Sequence, residues 1–212
     1  MERENLEWLE GRIVVYNLLR HLYLRPPIPE VLSLVRSLRL NLEAAPAAIR
    51  KGLDLLQGSS GDETIVPTLV AEYTRLFEGP GQIPVPPFES CYRTGDSLVM
   101  QEVTTQVRRA YLQAGLLARR LYSDPDDHVG MEWEFLYALA TKAAGALARG
   151  DATEAQTWLA QRRAFLQDHL LRWSPQFCER LLAATPHAFF QGLALFTQGL
   201  LEIEAQELAE GI

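Results

Sequence analysis

Glu72-Tyr73-Thr74-Arg75-Leu76-Phe77-Glu78-Gly79-Pro80-Gly81, followed by Pro86-Pro87-Phe88-Glu89-Ser90-Cys91-Tyr92, sets a helix end beside a long proline-rich loop dense in aromatics. Outward from this stretch, almost every segment repeats apolar residues at three-to-four spacing, and none alternates with period two for long, so the chain reads as all-α. A first helix over about 2–24 carries Trp8, Ile13, Val14, Tyr16, Leu18 and Leu19 and is ended by Arg25-Pro26-Pro27. A short helix starts near Pro29, and a third over about 44–56 stops at Gly58-Ser59-Ser60-Gly61. Asp62 or Thr64 caps the fourth, which runs to about Phe77.

The loop over 78–95 contains Pro80, Pro84, Pro86 and Pro87, and a loop of that length in a compact domain calls for a function. Helical spacing resumes over about 98–121, with Val99, Val103, Val107, Tyr111 and Leu112 as its stripe and Gly115 as a weak point. Further helices follow at about 127–149, 153–171, 175–184 and 186–210, with turns at Gly150-Asp151 and Thr185-Pro186. The expectation is one all-helical domain of about nine helices in two lobes. The lobes are about 1–122 and 128–212, joined by a short hinge at about 123–127.

The chain has 212 residues, 48% of them hydrophobic, enough for one sizeable core. No apolar run reaches the roughly 18 residues of a membrane span, and Met1-Glu2-Arg3-Glu4-Asn5 lacks the pattern of a secretory signal, so a cytoplasmic protein without stable membrane insertion is expected. A net charge of −7 argues against nucleic acid as a partner, because phosphate binding needs clustered Lys and Arg. Glu202, Glu204, Glu207 and Glu210 read either as solvated helix surface or as a source of negative potential that steers a basic peptide. Cys91 and Cys178 stand in no metal-ligand spacing and read as free thiols.

Catalytic signatures are missing: there is no phosphate-binding glycine loop, dinucleotide fingerprint, nucleophile elbow or His-Glu-x-x-His pair, so an enzyme is not expected and no cofactor is assigned. Asp127, His128 and Glu132 have cation-donor chemistry, with His128 and Glu132 on one helical face. The competing reading is that Asp126 or Asp127 caps the helix, where a carboxylate meets free N–H groups. His128 also reads as a group that donates a hydrogen bond to a ligand and responds to pH near neutrality.

Taken in order, these blocks resemble the TorD/DmsD-type chaperones that assist maturation of molybdenum-cofactor oxidoreductases. The resemblance rests on Glu72-Tyr73-x-Arg75-Leu76-Phe77-x-Gly79-Pro80 with Pro86-Pro87-Phe88-Glu89-Ser90-x-Tyr92 and on Pro125-Asp126-Asp127-His128 followed by Glu132 and Phe135-Leu136. His169-Leu170 with Trp173 and Phe177, and Phe189-Phe190, complete it. The resemblance implies an all-helical chaperone that binds the twin-arginine signal peptide of an oxidoreductase apoenzyme and holds it until cofactor insertion. Tyr73, Leu76, Phe77, Phe88 and Tyr92 would then supply apolar surface, and Glu89, Asp126 and Asp127 would meet the arginines. Arg75, Pro86, Pro87, Ser90, His128 and Glu132 complete the peptide-binding set.

Structural roles stand beside these. Leu76 and Phe77 suit a core, Arg75 a salt bridge that locks the loop, and Pro86 and Pro87 a stiffened connection. Tyr73 and Phe88 stand where some relatives have tryptophan, which bears on which oxidoreductase is served. Two alternatives remain: an assembly factor that binds the catalytic subunit or its cofactor without signal-peptide recognition, and a weak guanine-nucleotide binder, with GTP or molybdenum cofactor as transient partners.

Overall fold

The computed structural model of the chain describes residues 2–41, 45–93, 102–116 and 125–211. Among these residues the structure is all-α, with no β-strand and a single isolated antiparallel bridge, Phe88 to His128. The helices are α1 Glu2–Leu24, α2 Pro29–Ser37, α3 Ala47–Gly58, α4 Val66–Tyr73, α5 Ser90–Arg93, α6 Glu102–Gln113, α7 Val129–Ala148, α8 Ala152–Phe165, α9 Leu171–Ala184 and α10 Ala188–Glu210. Two π-helical turns, Thr74–Glu78 and Leu166–Leu170, continue α4 and join α8 to α9.

Contacts divide the chain into two units, and each is built from two stretches: 1–21 with 88–172, and 22–87 with 173–212. That division does not follow the cut expected near 123–127, because helical periodicity marks where an element starts and not which distant segment it packs on. Of the expected hinge, 123 and 124 lie outside the described residues, as do Val99 and the end of the helix expected to reach 121. Where it is described, that helix ends at Gln113, and Gly115 takes a left-handed φ of 67°.

The first unit is organised by α7 and α8, which pack along one another through a turn at Gly150, with Asp151 accepting from Glu154 N at 2.9 Å to cap α8. Its core joins Tyr16 to Trp133 (ring centroids 5.4 Å apart) and Tyr111 to Phe135 and Phe135 to Phe165 (4.5 and 4.7 Å). The α1 face that reaches a core is set by Val15, Tyr16, Leu18 and Leu19, whereas Val14, expected in the stripe, is 43% exposed. Likewise Val103, Val107 and Tyr111 of α6 are buried and Leu112 is 52% exposed. A helical stripe recurs at 3.6 residues, so positions one step off it turn to solvent.

The second unit is built on α3 against α10. Glycines set their separation: a Cβ on Gly52 would lie 2.3 Å from Phe196 N, and one on Gly199 would lie 2.5 Å from Ile49 N. Around this pair the ring of Phe77 sits between Tyr73 (5.0 Å), Phe177 (6.3 Å) and Phe190 (6.2 Å). Tyr73 donates to Tyr23 O at 2.7 Å, and the Tyr23 and Thr197 hydroxyls bond at 2.8 Å, so the polar ends of these buried rings are satisfied. Gly79 N bonds Thr74 O at 2.7 Å, which closes the π-helical turn before Pro80. The proline-rich loop then returns to the helices, with Val85 N on Leu76 O (3.1 Å) and Arg180 Nε on Pro84 O (2.6 Å).

Pro175 lies inside α9 instead of opening a helix. It falls one turn after the π-helical segment Leu166–Leu170, where the hydrogen-bond register has already shifted and a missing N–H is tolerated.

Candidate functional site

The first unit brings together the two sequence blocks that flank α5 and α7. Phe88 bridges His128, Glu89 N donates to Asp127 O at 2.9 Å, and Ser90 N donates to the Asp127 carboxylate at 2.9 Å. The Phe88 and His128 rings meet edge to face at 5.3 Å. The helix cap expected from Asp126 or Asp127 is made by His128 instead, whose Nδ1 accepts from Gly130 N at 3.0 Å. Accepting there places the neutral ring's proton on Nε2. Asp127 is left to serve the start of α5, because the bridge turns its carboxylate onto Ser90 N.

This arrangement gathers the carboxylates of Glu89, Asp126, Asp127 and Glu132, all buried. Charges do not survive burial without counter-groups. Glu89 pairs with Arg93 at 2.7 Å and with His169 Nδ1 at 2.9 Å, and Asp126 pairs with Arg108 at 2.5 Å. The Tyr111 hydroxyl donates to Asp126 O at 2.9 Å. Its phenol is held well above the usual range, first by burial and then by the negative charges of Glu132, Asp126, Asp127 and Glu89. The site therefore presents concentrated negative charge with arginine already seated on part of it. Among the described residues no group of three or more His, Cys, Asp or Glu can hold a metal ion.

Beside this cluster a cavity of about 310 Å³ opens, with Gln106, Arg109 and Gln113 of α6 facing Gln161, Phe165 and His169. His169 stacks on Phe165 with ring centroids 4.9 Å apart.

Of the residues singled out in the sequence, Tyr73, Arg75, Leu76, Phe77, Pro86 and Pro87 lie in the second unit. Tyr73, Leu76 and Phe77 are core side chains, at 2%, 0% and 4% exposure. Pro87 is buried and Pro86 half-buried. Arg75 forks onto Glu72 through two bonds of 2.7 Å and donates to Ala184 O at 2.8 Å, so it ties the π-helical turn to the end of α9. Arg75 holds the Glu72 carboxyl below its ordinary value, aided by Thr185 and His187 and opposed by partial burial. In the first unit, Phe88 and Tyr92 are half-buried, and Ser90 and Glu132 are fully buried.

Arg93, Arg108, Tyr111 and His169 were not singled out as site residues by the sequence. Arg93 follows Glu89 by four, a helical ion-pair spacing that is readable in principle. Arg108 and His169 meet their acids only through the tertiary fold.

The match to a family model described as "Nitrate reductase delta subunit" covers residues 38–179 and so takes in most of these elements. The chain belongs to this family. Its relatives include the chaperone protein TorD of Aeromonas salmonicida, 30% identical over 141 residues that make up 66% of this chain and 61% of that protein. The probable Tat proofreading chaperone DmsD of Haemophilus influenzae is 26% identical over 129 residues, 61% of this chain and 56% of that protein. A more extended match, to the chaperone protein TorD of Aliivibrio fischeri, covers 82% of this chain and 81% of the relative at 20% identity. The chain spans about 55–61% of the length of the first relatives it matches. These family members bear the names of chaperones and not of enzymes. Among the described residues no helix is long and apolar enough to cross a membrane.

Proposed function

We propose that this member of the nitrate reductase delta subunit family is a cytoplasmic maturation chaperone. It binds the twin-arginine signal peptide of a molybdenum-cofactor oxidoreductase and retains the apoenzyme until the cofactor is inserted. The observation that carries this reading is the buried carboxylate group of Glu89, Asp126, Asp127 and Glu132 beside the half-buried rings of Phe88 and Tyr92. Carboxylates favour guanidinium over other cations because its fork of N–H donors matches their oxygens, and an aromatic rim suits the apolar part of a signal peptide. The chaperone names of the relatives point the same way.

Titration calorimetry with twin-arginine peptides from molybdoenzymes of the same genome tests it. Micromolar binding that weakens in arginine-to-alanine peptides and in salt is expected, and no binding to any of them rejects it. GTP and molybdenum cofactor, as transient partners, enter the same titration as competitors.

A second reading is favoured by the delta-subunit description of the family model: assembly of a catalytic subunit without signal-peptide recognition. A client stripped of its signal peptide separates the two, since retained capture favours the second.

A further inference from the structure

The acids of the candidate site are occupied. In the Glu89–Arg93 pair the carboxylate is 0% exposed and the arginine side chain 25%, and in the Asp126–Arg108 pair the values are 9% and 34%. Each pair thus keeps its acid inside and its guanidinium toward solvent. The two pairs adjoin, because Glu89 N is bonded to Asp127 O, one peptide step from Asp126. Between them lies a further acceptor: Asp127 is 0% exposed, its Oδ2 takes Ser90 N, and its Oδ1 is buried with no hydrogen-bond partner among the described residues. A buried carboxylate oxygen without a donor is unfavourable, and it marks a place where a donor from outside is accepted.

Resting on the signal-peptide reading, we infer that Arg93 and Arg108 are placeholders, which occupy Glu89 and Asp126 in the free protein and are displaced by the two adjacent arginines of the guest. The exchange trades guanidinium for guanidinium. Stripping a counter-ion from a buried carboxylate is strongly unfavourable, but replacing it with the same group leaves the desolvation of the acid unchanged. Arg93 also donates to Asp168 O at 3.1 Å, an exposed bond that water can replace. Because Arg93 and Arg108 are the partly exposed members, they can leave for water and regain hydration. Successive residues of the guest lie about 3.8 Å apart at Cα, which suits acceptors whose backbones adjoin in this way. Lysine is a poor substitute, since an ammonium is a point charge without the planar array of N–H donors that a guanidinium offers a carboxylate. Affinity is then set by competition, so the free protein is kept from binding stray basic peptides.

Calorimetric titration of the full chain with a synthetic signal peptide tests the exchange, with adjacent arginines in one version and lysines in the other. Arg93→Gln and Arg108→Gln should each tighten arginine-peptide binding by about three- to tenfold, and the double variant more than either. Unchanged or weaker binding in both single variants, while the wild type binds, overturns the exchange and leaves the signal-peptide reading standing. Absence of peptide binding by the wild type and by every variant removes both. Melting curves verify folding; if a glutamine variant unfolds, Arg93→Lys and Arg108→Lys keep the charge without the fork. Those variants should bind the peptide more tightly than the wild type, and affinities equal to it count against the exchange.

Discussion

Substituting Gly52 by alanine should destabilise the protein although alanine is the better helix former. The added Cβ would meet backbone: Phe196 N at 2.3 Å, Phe196 Cα at 2.7 Å and Gly192 O at 2.8 Å. Ordinary carbon contacts lie at about 3.5–4.0 Å, so α3 and α10 must separate by more than an ångström along the contact. Overpacking of this kind costs about 1–3 kcal/mol, and the upper part of that range applies where main chain of a second helix is the obstacle. The gain in helix propensity from glycine to alanine returns about 1 kcal/mol, which leaves a net loss of about 2 kcal/mol. For a chain of this size that lowers Tm by about 4–8 °C. Gly11, in α1, is the internal control, since a Cβ there meets nothing within 4 Å and the substitution should stabilise by about the propensity gain alone. Thermal unfolding followed by helical circular dichroism reads both. Equal stabilisation by Gly52→Ala and Gly11→Ala would refute the close α3–α10 contact.

Three further outcomes follow from the electrostatics. The Glu72 carboxyl is lowered by Arg75, so its contribution is present above the ordinary glutamate range and is lost as pH falls through the lower folded value; Tm against pH should drop more steeply on acidification for the wild type than for Glu72→Gln. Burial and surrounding acids raise the Tyr111 phenol, so alkaline titration near 295 nm should leave Tyr111 silent until the protein unfolds, and Tyr111→Phe should remove no ionisation from the native titration. That substitution also strips the donor from Asp126 O and should cost about 1–3 kcal/mol in denaturant unfolding. Cys178 is fully buried and burial pushes its thiol up, whereas Cys91 is half-buried, so a thiol reagent should label Cys91 in the native protein and Cys178 only in denaturant.

The π-helical turns show how local sequence and tertiary contacts divide the work. Thr74–Glu78 reads in sequence as the last turn of an ordinary helix, and its wider turn is visible only with Gly79 bonded back to Thr74 and Arg75 reaching Ala184. Leu166–Leu170 likewise hides the continuity of α8 and α9 from a reading that ends one helix at about 171 and opens the next at Pro175. In both cases the signal is a shift of one residue in backbone register, which side-chain periodicity barely records.

The helical class and most helix positions are legible in the sequence, because a 3.6-residue repeat, prolines and glycines act within a few residues of one another. The sequence also brought Phe88–Tyr92 and Asp126–Glu132 forward as candidate site blocks, since their composition departs from that of plain helix faces. Long-range packing settles that Tyr73, Leu76 and Phe77 are core, that His128 and not its acidic neighbours caps α7, and that the chain builds each unit from two separated stretches. It alone seated Arg108 and His169 on Asp126 and Glu89, across 18 and 80 residues of sequence. The physical reason is range: propensity and capping are local, whereas the neutralisation of a buried charge is settled by whichever group the fold carries to within about 3 Å.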